Sequence, residues 1–392
     1  MAEIITFSPS PSIFGFGALN KLPETLKSRG FKRLLIITDS AIAQSGILER
    51  VTHMLKDAME WELFDGAPTE PKNTDIDEQK ERFGSDHDAL LALGGGSPMD
   101  FAKAIAIIMA HGGSVGDYLG EGSVPGPVIP IVCVPTTSGT GSQNTQTTVF
   151  TIEGVKRGVS SEYIRPAVSI VDPELTMELP SLVTRNSGYD ALMHSCESFL
   201  ARPHSQVAER SILYQGSNPF SRSLSLEAFR SIWRSYRRAV SEGHDCGARK
   251  DMSLGSHLAG LAFSHSGLGL VHALASALGG MVDEPHGVCL AACTSIGLKY
   301  NLSACEKDFA VLAGIMSEID KTSPANVSAQ TFVENMLDLA KDLGFPSRPS
   351  EVGLKKGDAE KLLKNTLVQT RRTQTNPRDL DDELLSHIEE GV

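Results

Sequence analysis

The sequence of 392 residues is poor in cysteine and aromatic side chains, with six cysteines, two tryptophans and 6% aromatic residues. The cysteines are scattered, and the nearest two, Cys289 and Cys293, have no second pair at the spacing of a zinc finger. This excludes a disulfide-stabilised scaffold and favours a cytoplasmic location. The N-terminal sequence MAEIITFSPSPSIFGFG also lacks a basic segment and an unbroken apolar segment, so we expect no signal peptide.

Positive charge is also scarce. The sequence has 36 Lys and Arg residues and 48 Asp and Glu residues, which gives a net charge of −12. Such an excess repels phosphate backbones, and we expect no nucleic-acid partner. The segment from Leu254 to Val282 has no charged residue and is long enough to span a bilayer. It contains three histidines and several serines, so it predicts a buried helical layer and no membrane segment.

Short apolar runs alternate with helical patterns in the first half of the chain. Four runs predict buried strands, at residues 34–39, 89–96, 127–135 and 167–172. Strands that alternate with helices are typical of a parallel α/β sheet. After Pro180 the chain has long segments of 3.6-residue periodicity. We therefore predict an α/β dinucleotide-binding domain with a parallel Rossmann-like sheet at residues 1–180 and an all-α domain at residues 181–392.

A run of three glycines follows the second predicted strand and opens a helix. Glycines let the backbone approach a ligand closely. Ser97 is expected to be the N-cap of the helix, with Pro98 at its first position and Asp100 three residues after the cap. The free N–H groups and the positive end of the helix would suit a pyrophosphate. The alternative is a tight turn that binds nothing.

A second loop, from Pro135 to Ser142, is rich in hydroxyl groups and glycine and has no charge. It leaves the carboxyl end of a strand, where open α/β folds bind their ligands. Asp39 ends another strand and could accept hydrogen bonds from a ribose, which would favour NAD over NADP. The alternatives are a simple Ser/Thr turn for the loop and an ordinary helix N-cap for Asp39.

Four residues of the second half suggest a metal site. Asp190 and His194 are four apart in a helical pattern and share one face. His272 lies in another predicted helix, and His286 lies in the segment EPHGV. One oxygen and three nitrogens suit Zn²⁺ or Fe²⁺ with an open coordination position. Any one histidine alone is more often structural.

Seven segments together resemble one protein family. In chain order they are GGGSPMDFAKAIA, PTTSGTGS, IVDPELTMELP, SGYDALMHSCES, LVHALASALGG, EPHGVCLA and NPRDL. The sequence resembles the iron-containing, or group III metal-dependent, alcohol dehydrogenases over nearly its whole length. The resemblance implies a dehydroquinate synthase-like fold, a homodimer or larger homo-oligomer, and NAD(P)-linked interconversion of a small alcohol and an aldehyde or ketone.

The resemblance also implies roles for individual residues. The metal ligands would be Asp190, His194, His272 and His286. The pyrophosphate side of the cofactor would meet Gly95, Gly96, Ser97 and Asp100. The adenosine and ribose side would meet Thr136, Thr137 and Thr140, and Lys156 would reach the nicotinamide ribose.

The sequence departs from the family at three places. Ser276 stands where many relatives carry a histidine that is regarded as a proton carrier, and His265 stands where asparagine is frequent. Residues 202–216 form an apparent insertion. We therefore consider His265, with Ser276 or water, as the proton path; the alternative is that His265 only packs beside the cofactor.

The sequence thus predicts a metal-dependent, NAD(H)-linked alcohol dehydrogenase or aldehyde reductase of a small substrate. Polyol oxidation of the glycerol dehydrogenase kind, a metal-dependent cyclising lyase and a non-catalytic metal or nucleotide sensor remain alternatives. His and Asp ligands leave the choice between Fe²⁺ and Zn²⁺ open.

Overall fold

The protein, represented by a computed structural model, is described over residues 4–84, 86–207, 213–322 and 327–392. The chain forms two compact units. One comprises Ser8–Leu179, and the other comprises Pro180–Val392 together with residues 4–7.

The first unit is built on a six-stranded sheet in the order β1-β9-β6-β4-β2-β3, in which all neighbours are parallel. A second sheet has the order β5-β8-β7. The strands are β1 (Ser12–Phe14), β2 (Arg33–Ile37), β3 (Glu60–Phe64), β4 (Ala89–Gly94), β5 (Gly120–Glu121), β6 (Ile131–Pro135), β7 (Thr147–Ile152), β8 (Val155–Ser160) and β9 (Val168–Val171).

Five helices belong to this unit: α1 (Leu22–Ser28), α2 (Ser40–Gln44), α3 (Ile47–Leu55), α4 (Asn73–Asp77) and α5 (Gly96–His111). The central strands β4 and β6 are buried throughout. Their alternate residues enter two different apolar clusters, with Leu90 in one and Leu91 in the other. The sheet is therefore covered on both faces, as parallel sheets require.

The second unit is helical over its described residues. Its helices are α6 (Ser181–Leu200), α7 (Pro219–Ser241), α8 (Cys246–Ser266), α9 (Leu270–Gly279), α10 (His286–Asp320), α11 (Ala329–Asp342), α12 (Ala359–Leu367), α13 (Thr370–Thr373) and α14 (Glu383–Glu390). One large apolar cluster runs through them. The predicted architecture, a parallel α/β part followed by a helical part, is confirmed.

Two apolar helical segments lie in the core of this unit. Helix α10 is long and apolar enough to cross a membrane, but 72% of its apolar window is buried inside the protein. The uncharged stretch from Leu254 to Val282 consists mainly of α8 and α9, which are bent by 99° at a short break. Both segments are buried as core helices are. Because α9 starts after a break, its first N–H groups have no carbonyl partner in a preceding helical turn, and those of Leu270 and Val271 donate to side chains instead.

The N-terminal segment differs from the predicted domain assignment. Residues 4–7 pack on the helical unit although the sequence places them in the first domain. The Thr6 N–H donates to Gln215 Oε1 at 3.1 Å, and Phe7 stacks on Phe220 with ring centroids 4.9 Å apart. These two contacts explain why the segment follows the helices.

Candidate metal centre and cofactor loops

Helix α6 places Asp190 and His194 on one face, as their spacing predicts. His194 Nε2 lies 3.5 Å from Asp190 Oδ1. The His194 ring is stacked between Phe263 and His272, with centroid distances of 4.2 and 4.5 Å. This packing fixes the imidazole plane, so its ring nitrogen stays directed at the carboxylate.

Two further helices bring histidines to the same carboxylate oxygen. His272, near the start of α9, places Nε2 3.4 Å from Asp190 Oδ1. His286, the first residue of α10, places Nε2 3.8 Å from it. Ligand atoms of Asp190, His272 and His286 all lie within 4.8 Å of one another. Ligands about 2.1 Å from a tetrahedral ion are ~3.4 Å apart, so this donor set fits one divalent metal ion.

Burial and charge make this cluster unusual. Asp190 and His194 are each 5% exposed, whereas the His286 side chain is 34% exposed. Burial raises the pKa of Asp190, but the facing imidazoles outweigh it and hold that pKa well below its usual range. The carboxylate is therefore ionised, as a metal ligand must be. The exposure of His286 leaves one side of the cluster accessible, as an open coordination position requires.

Glu197 supports the cluster, and sequence reasoning missed it. Its carboxylate accepts the His272 Nδ1–H in a short hydrogen bond and also accepts the N–H groups of Val271, at 2.7 Å, and His272, at 3.2 Å. Burial by itself lowers the pKa of His272, but Glu197 and Asp190 outweigh it and raise that pKa. A carboxylate on the remaining ring nitrogen fixes the tautomer and orientation of a metal-binding histidine.

The two glycine-containing loops of the α/β unit contact each other. A Cβ atom added at Gly96 would lie 2.7 Å from Thr140 Cγ2, and one added at Gly95 would lie 3.5 Å from Thr137 Cγ2. Any larger residue at Gly96 would push the loops apart. The structure therefore brings together Gly95, Gly96, Thr137 and Thr140 at the carboxyl ends of β4 and β6.

The start of α5 differs from the prediction. The N-cap is Gly95 and the helix begins at Gly96, so the expectation that Ser97 caps the helix is wrong. The Ser97 hydroxyl donates instead to the Thr69 carbonyl. Among the described residues no side chain caps the helix at Gly95, so the N–H groups that begin α5 lack the capping side chain that most helices have.

Asp100 braces the second loop. Its Oδ1 accepts the Ser142 hydroxyl at 2.7 Å, and its Oδ2 accepts the Val149 N–H at 3.1 Å. Lys103, one turn further along α5 and fully buried, donates to Ser142 O, Thr145 Oγ1 and Thr147 O at 2.7 to 3.0 Å. The hydrogen bonds of Asp100 thus support the loop, and its pyrophosphate contact stays a prediction.

Three other predicted cofactor residues occupy different settings. Asp39 caps α2, because its Oδ1 accepts the Ile42 N–H at 2.9 Å, and its Oδ2 faces the glycine loop, 3.6 Å from a Cβ built at Gly94. Thr136 is 1% exposed at the end of β6. Lys156 lies on β8 and forms an ion pair with Glu70 at 2.7 Å.

The two candidate proton carriers lie in the helical unit. His265 Nδ1 lies 2.8 Å from the Leu261 carbonyl oxygen, and its ring packs on Phe7 at 4.4 Å. Ser276 is 6% exposed and lies one turn after His272 on α9. The structure therefore gives His265 the contacts of a packed residue.

The apparent insertion is held by structural contacts where it is described. Arg202 pairs with Asp379 at 2.5 Å, and the ring nitrogens of His204 lie 2.7 Å from Gln215 O and 3.0 Å from Ile4 O. Arg210, in the same insertion, lies outside the described residues.

Comparison with known proteins agrees with this geometry. The family model for iron-containing alcohol dehydrogenase matches residues 9–173, and that for the C-terminal part of the same family matches residues 184–390. The chain belongs to the iron-containing alcohol dehydrogenase family. It is an oxidoreductase that acts on CH–OH groups with a nicotinamide cofactor, and its family is NAD-dependent and uses a metal.

Relatives are similar over almost the full chain. The chain is 35% identical to the NAD-dependent methanol dehydrogenase of Bacillus methanolicus over 376 residues, which cover 95% of each protein. It is 32% identical to the 1,3-propanediol dehydrogenase of Citrobacter freundii, covering 97% of this chain and 96% of that one. A crystal structure of a 1,3-propanediol oxidoreductase superposes with a TM-score of 0.89 at 31% identity, covering 99% of this chain and all of the other.

Proposed function

We propose that this dehydrogenase holds one divalent ion, Fe²⁺ or Zn²⁺, with Asp190, His194, His272 and His286. The convergence of three imidazole nitrogens within 3.8 Å of one carboxylate oxygen carries the proposal. An ion bound there would polarise a carbonyl oxygen as a Lewis acid. His286 would border the substrate, because it is the most exposed of the four.

The loops of the α/β unit are proposed to bind NAD(H), which supplies the hydride. The uncapped N–H groups that begin α5 would hold the pyrophosphate at Gly95, Gly96 and Ser97. The hydroxyl loop at Thr136, Thr137 and Thr140 would line the adenosine and ribose, and Lys156 would reach the nicotinamide ribose. Asp39 would accept hydrogen bonds from the ribose hydroxyls and disfavour a 2′-phosphate, so NADH would be preferred over NADPH.

A proton must reach the oxygen of the product alcohol. We propose that Ser276 relays it with water, since this hydroxyl lies one turn from His272. The contacts of His265 with Leu261 and Phe7 support a packing role for that residue.

The substrate is proposed to be a small aldehyde or its alcohol, because relatives are named for methanol and 1,3-propanediol. By the same resemblance the enzyme would be a cytoplasmic homo-oligomer. Glycerol-type polyol oxidation is the second candidate within this family.

A spectrophotometric screen tests the proposal. The protein is loaded with Fe²⁺ or Zn²⁺ and NADH oxidation is followed with short aldehydes, while NAD⁺ reduction is followed with glycerol and short alcohols. We expect metal-dependent turnover of aldehydes. Binding of NADH and metal without turnover of any substrate would contradict an enzymatic role and favour a sensor.

A further inference from the structure

Arg372 is a partly buried cation with little hydrogen bonding. Its Nη1 donates to Gln369 Oε1 at 2.8 Å. Its Nε is buried, and within the described residues it has no hydrogen-bond partner. The ion pairs of the described residues include none for this guanidinium, whereas Arg202, Arg222 and Arg378 each have at least one.

The segment that carries Arg372 is tied to the helix that carries His272. The Thr375 hydroxyl donates to the Leu268 carbonyl at 2.7 Å, and Asn376 Oδ1 accepts the Leu270 N–H at 3.0 Å. A Cβ added at Gly267 would lie 2.6 Å from Thr375 Oγ1, so the two segments are in close contact. Arg372 is therefore held beside the start of α9.

The electrostatic surroundings of Arg372 include the metal cluster. Burial lowers the pKa of Arg372 and the neighbouring Arg371 lowers it further, while Tyr214, Glu197 and Asp190 raise it. Glu197 and Asp190 thus act on Arg372 through space without forming an ion pair with it. In the proposed function these two carboxylates serve the metal ion and His272, which leaves the guanidinium without a carboxylate of its own.

A buried guanidinium N–H without an acceptor, such as that of Arg372 Nε, is costly, and the group gains most from an anion that it can bind through two N–H groups. Planar oxyanions such as carboxylate match the guanidinium fork, and sulfonate offers the same paired oxygens. We propose that Arg372 binds a terminal anionic group of the substrate, so that the enzyme acts on small aldehydes and alcohols that carry a carboxylate or sulfonate at the far end. This proposal rests on the proposed function, because it places Arg372 and the metal at opposite ends of one substrate.

Matched substrates test the proposal with the metal-loaded enzyme and NAD⁺. We compare ω-hydroxy acids of three to six carbons with the α,ω-diols of the same length, and 2-hydroxyethanesulfonate with 1,3-propanediol. The preferred chain length measures the distance between Arg372 and the reacting carbon. The comparison with 2-hydroxyethanesulfonate shows whether the enzyme prefers carboxylate or sulfonate. Each ratio of kcat/KM, acid over diol, is independent of the fraction of folded enzyme.

We expect the wild type to favour one length of anionic substrate over its diol. Arg372→Gln should lower that ratio about 10- to 100-fold, the usual effect of losing a charge-assisted hydrogen-bonded contact, mainly through KM. The acid-to-diol ratio of Arg372→Lys should lie between those of the wild type and Arg372→Gln, because lysine keeps the charge but loses the paired N–H groups of the guanidinium. Arg371→Gln, with the same charge change one residue away, is the control and should keep most of the preference.

A binding measurement accompanies the kinetics. The best ω-hydroxy acid, without NAD⁺, should raise the Tm of the wild type and of Arg371→Gln but not that of Arg372→Gln.

Two kinetic results would overturn the proposal. One is a wild type that favours diols at every length, and the other is an equal loss of kcat/KM for acid and diol in Arg372→Gln. A selective rise in the Kd of NADH in Arg372→Gln would also overturn it, by assigning the guanidinium to the cofactor. Turnover of diols in any of these cases leaves the proposed function standing, whereas no turnover of either class contradicts both.

Discussion

Glu197 shows how a single side chain can serve two parts of the metal centre. It caps the start of α9 through two N–H groups and holds the ring of His272 through Nδ1. The sequence offers a signal for it, since Glu197 lies seven residues after Asp190 and three after His194, on the same helical face. The spacing alone does not identify Glu197, because a glutamate after a histidine is common on helices.

The change Glu197→Gln tests this role. Glutamine keeps the size but removes the charge that orients His272, and we expect metal affinity to fall about 10- to 100-fold. Titration against a chelator measures the affinity directly. Glu318→Gln, at an exposed ion pair with Arg230, is the control. Unchanged affinity in Glu197→Gln would show that the carboxylate only caps α9.

Asp39 combines a helix cap with a charge next to the glycine loop, and two substitutions separate them. Asp39→Asn keeps the cap and removes the charge, so the preference for NADH over NADPH should narrow about tenfold or more with little change in Tm. Asp39→Ala should narrow it equally and also cost about 1 kcal/mol of stability. The ratio of kcat/KM for the two cofactors is the measurement. If only the alanine variant changes anything, Asp39 is a cap alone.

His265 tests the proton path. Because its ring packs on Phe7 and Nδ1 is bonded to a backbone carbonyl, we expect His265→Asn to lower kcat less than about tenfold and to leave the shape of the pH–rate profile unchanged. The full pH–rate profile of the metal-loaded variant is the measurement. A loss of one limb near neutral pH, with a fall of about a hundredfold or more, would restore His265 as the proton carrier.

At the scale of elements, the strands that the sequence predicts are those buried on both faces. The four predicted runs correspond to β2, β4, β6 and β9, with ends shifted by up to four residues. The sequence does not predict the β7–β8 hairpin, because the first four residues of β8 are exposed or partly buried and include two charged side chains. Its turn, with positive φ at Glu153 and Gly154, was the local signal.

The hydroxyl loop depends on one buried lysine. Lys103 is fully buried and donates to Ser142, at the end of the loop, and to Thr145 and Thr147, which follow it. Replacing it with methionine removes these hydrogen bonds, at a cost of about 1–3 kcal/mol each at most. We expect Lys103→Met to lower the Tm and to weaken NADH binding while bound metal is retained. Lys80→Met, in the α/β unit and outside this network, is the control; a matching loss of metal would contradict the assignment of Lys103 to the cofactor loops.

In the whole molecule, the proposed metal ligands and the proposed cofactor loops lie in different compact units. All four proposed ligands belong to the unit that begins at Pro180, and both glycine-containing loops belong to Ser8–Leu179. The sequence predicted this division from its change of periodicity after Pro180. It could not predict that Glu197 bonds to the start of α9, because Val271 and His272 are more than seventy residues away in the chain.

The central claim is that Asp190 and the three histidines bind the metal. Its most direct test is the metal content of purified Asp190→Ala and His272→Ala, measured with the NADH affinity of the same samples. We predict that both variants lose the metal and all turnover, while the Kd of NADH changes by less than about threefold, since the proposed cofactor contacts lie on other residues. His265→Asn, with its histidine outside the cluster, should keep its metal. Full metal occupancy in both Asp190→Ala and His272→Ala would contradict the account.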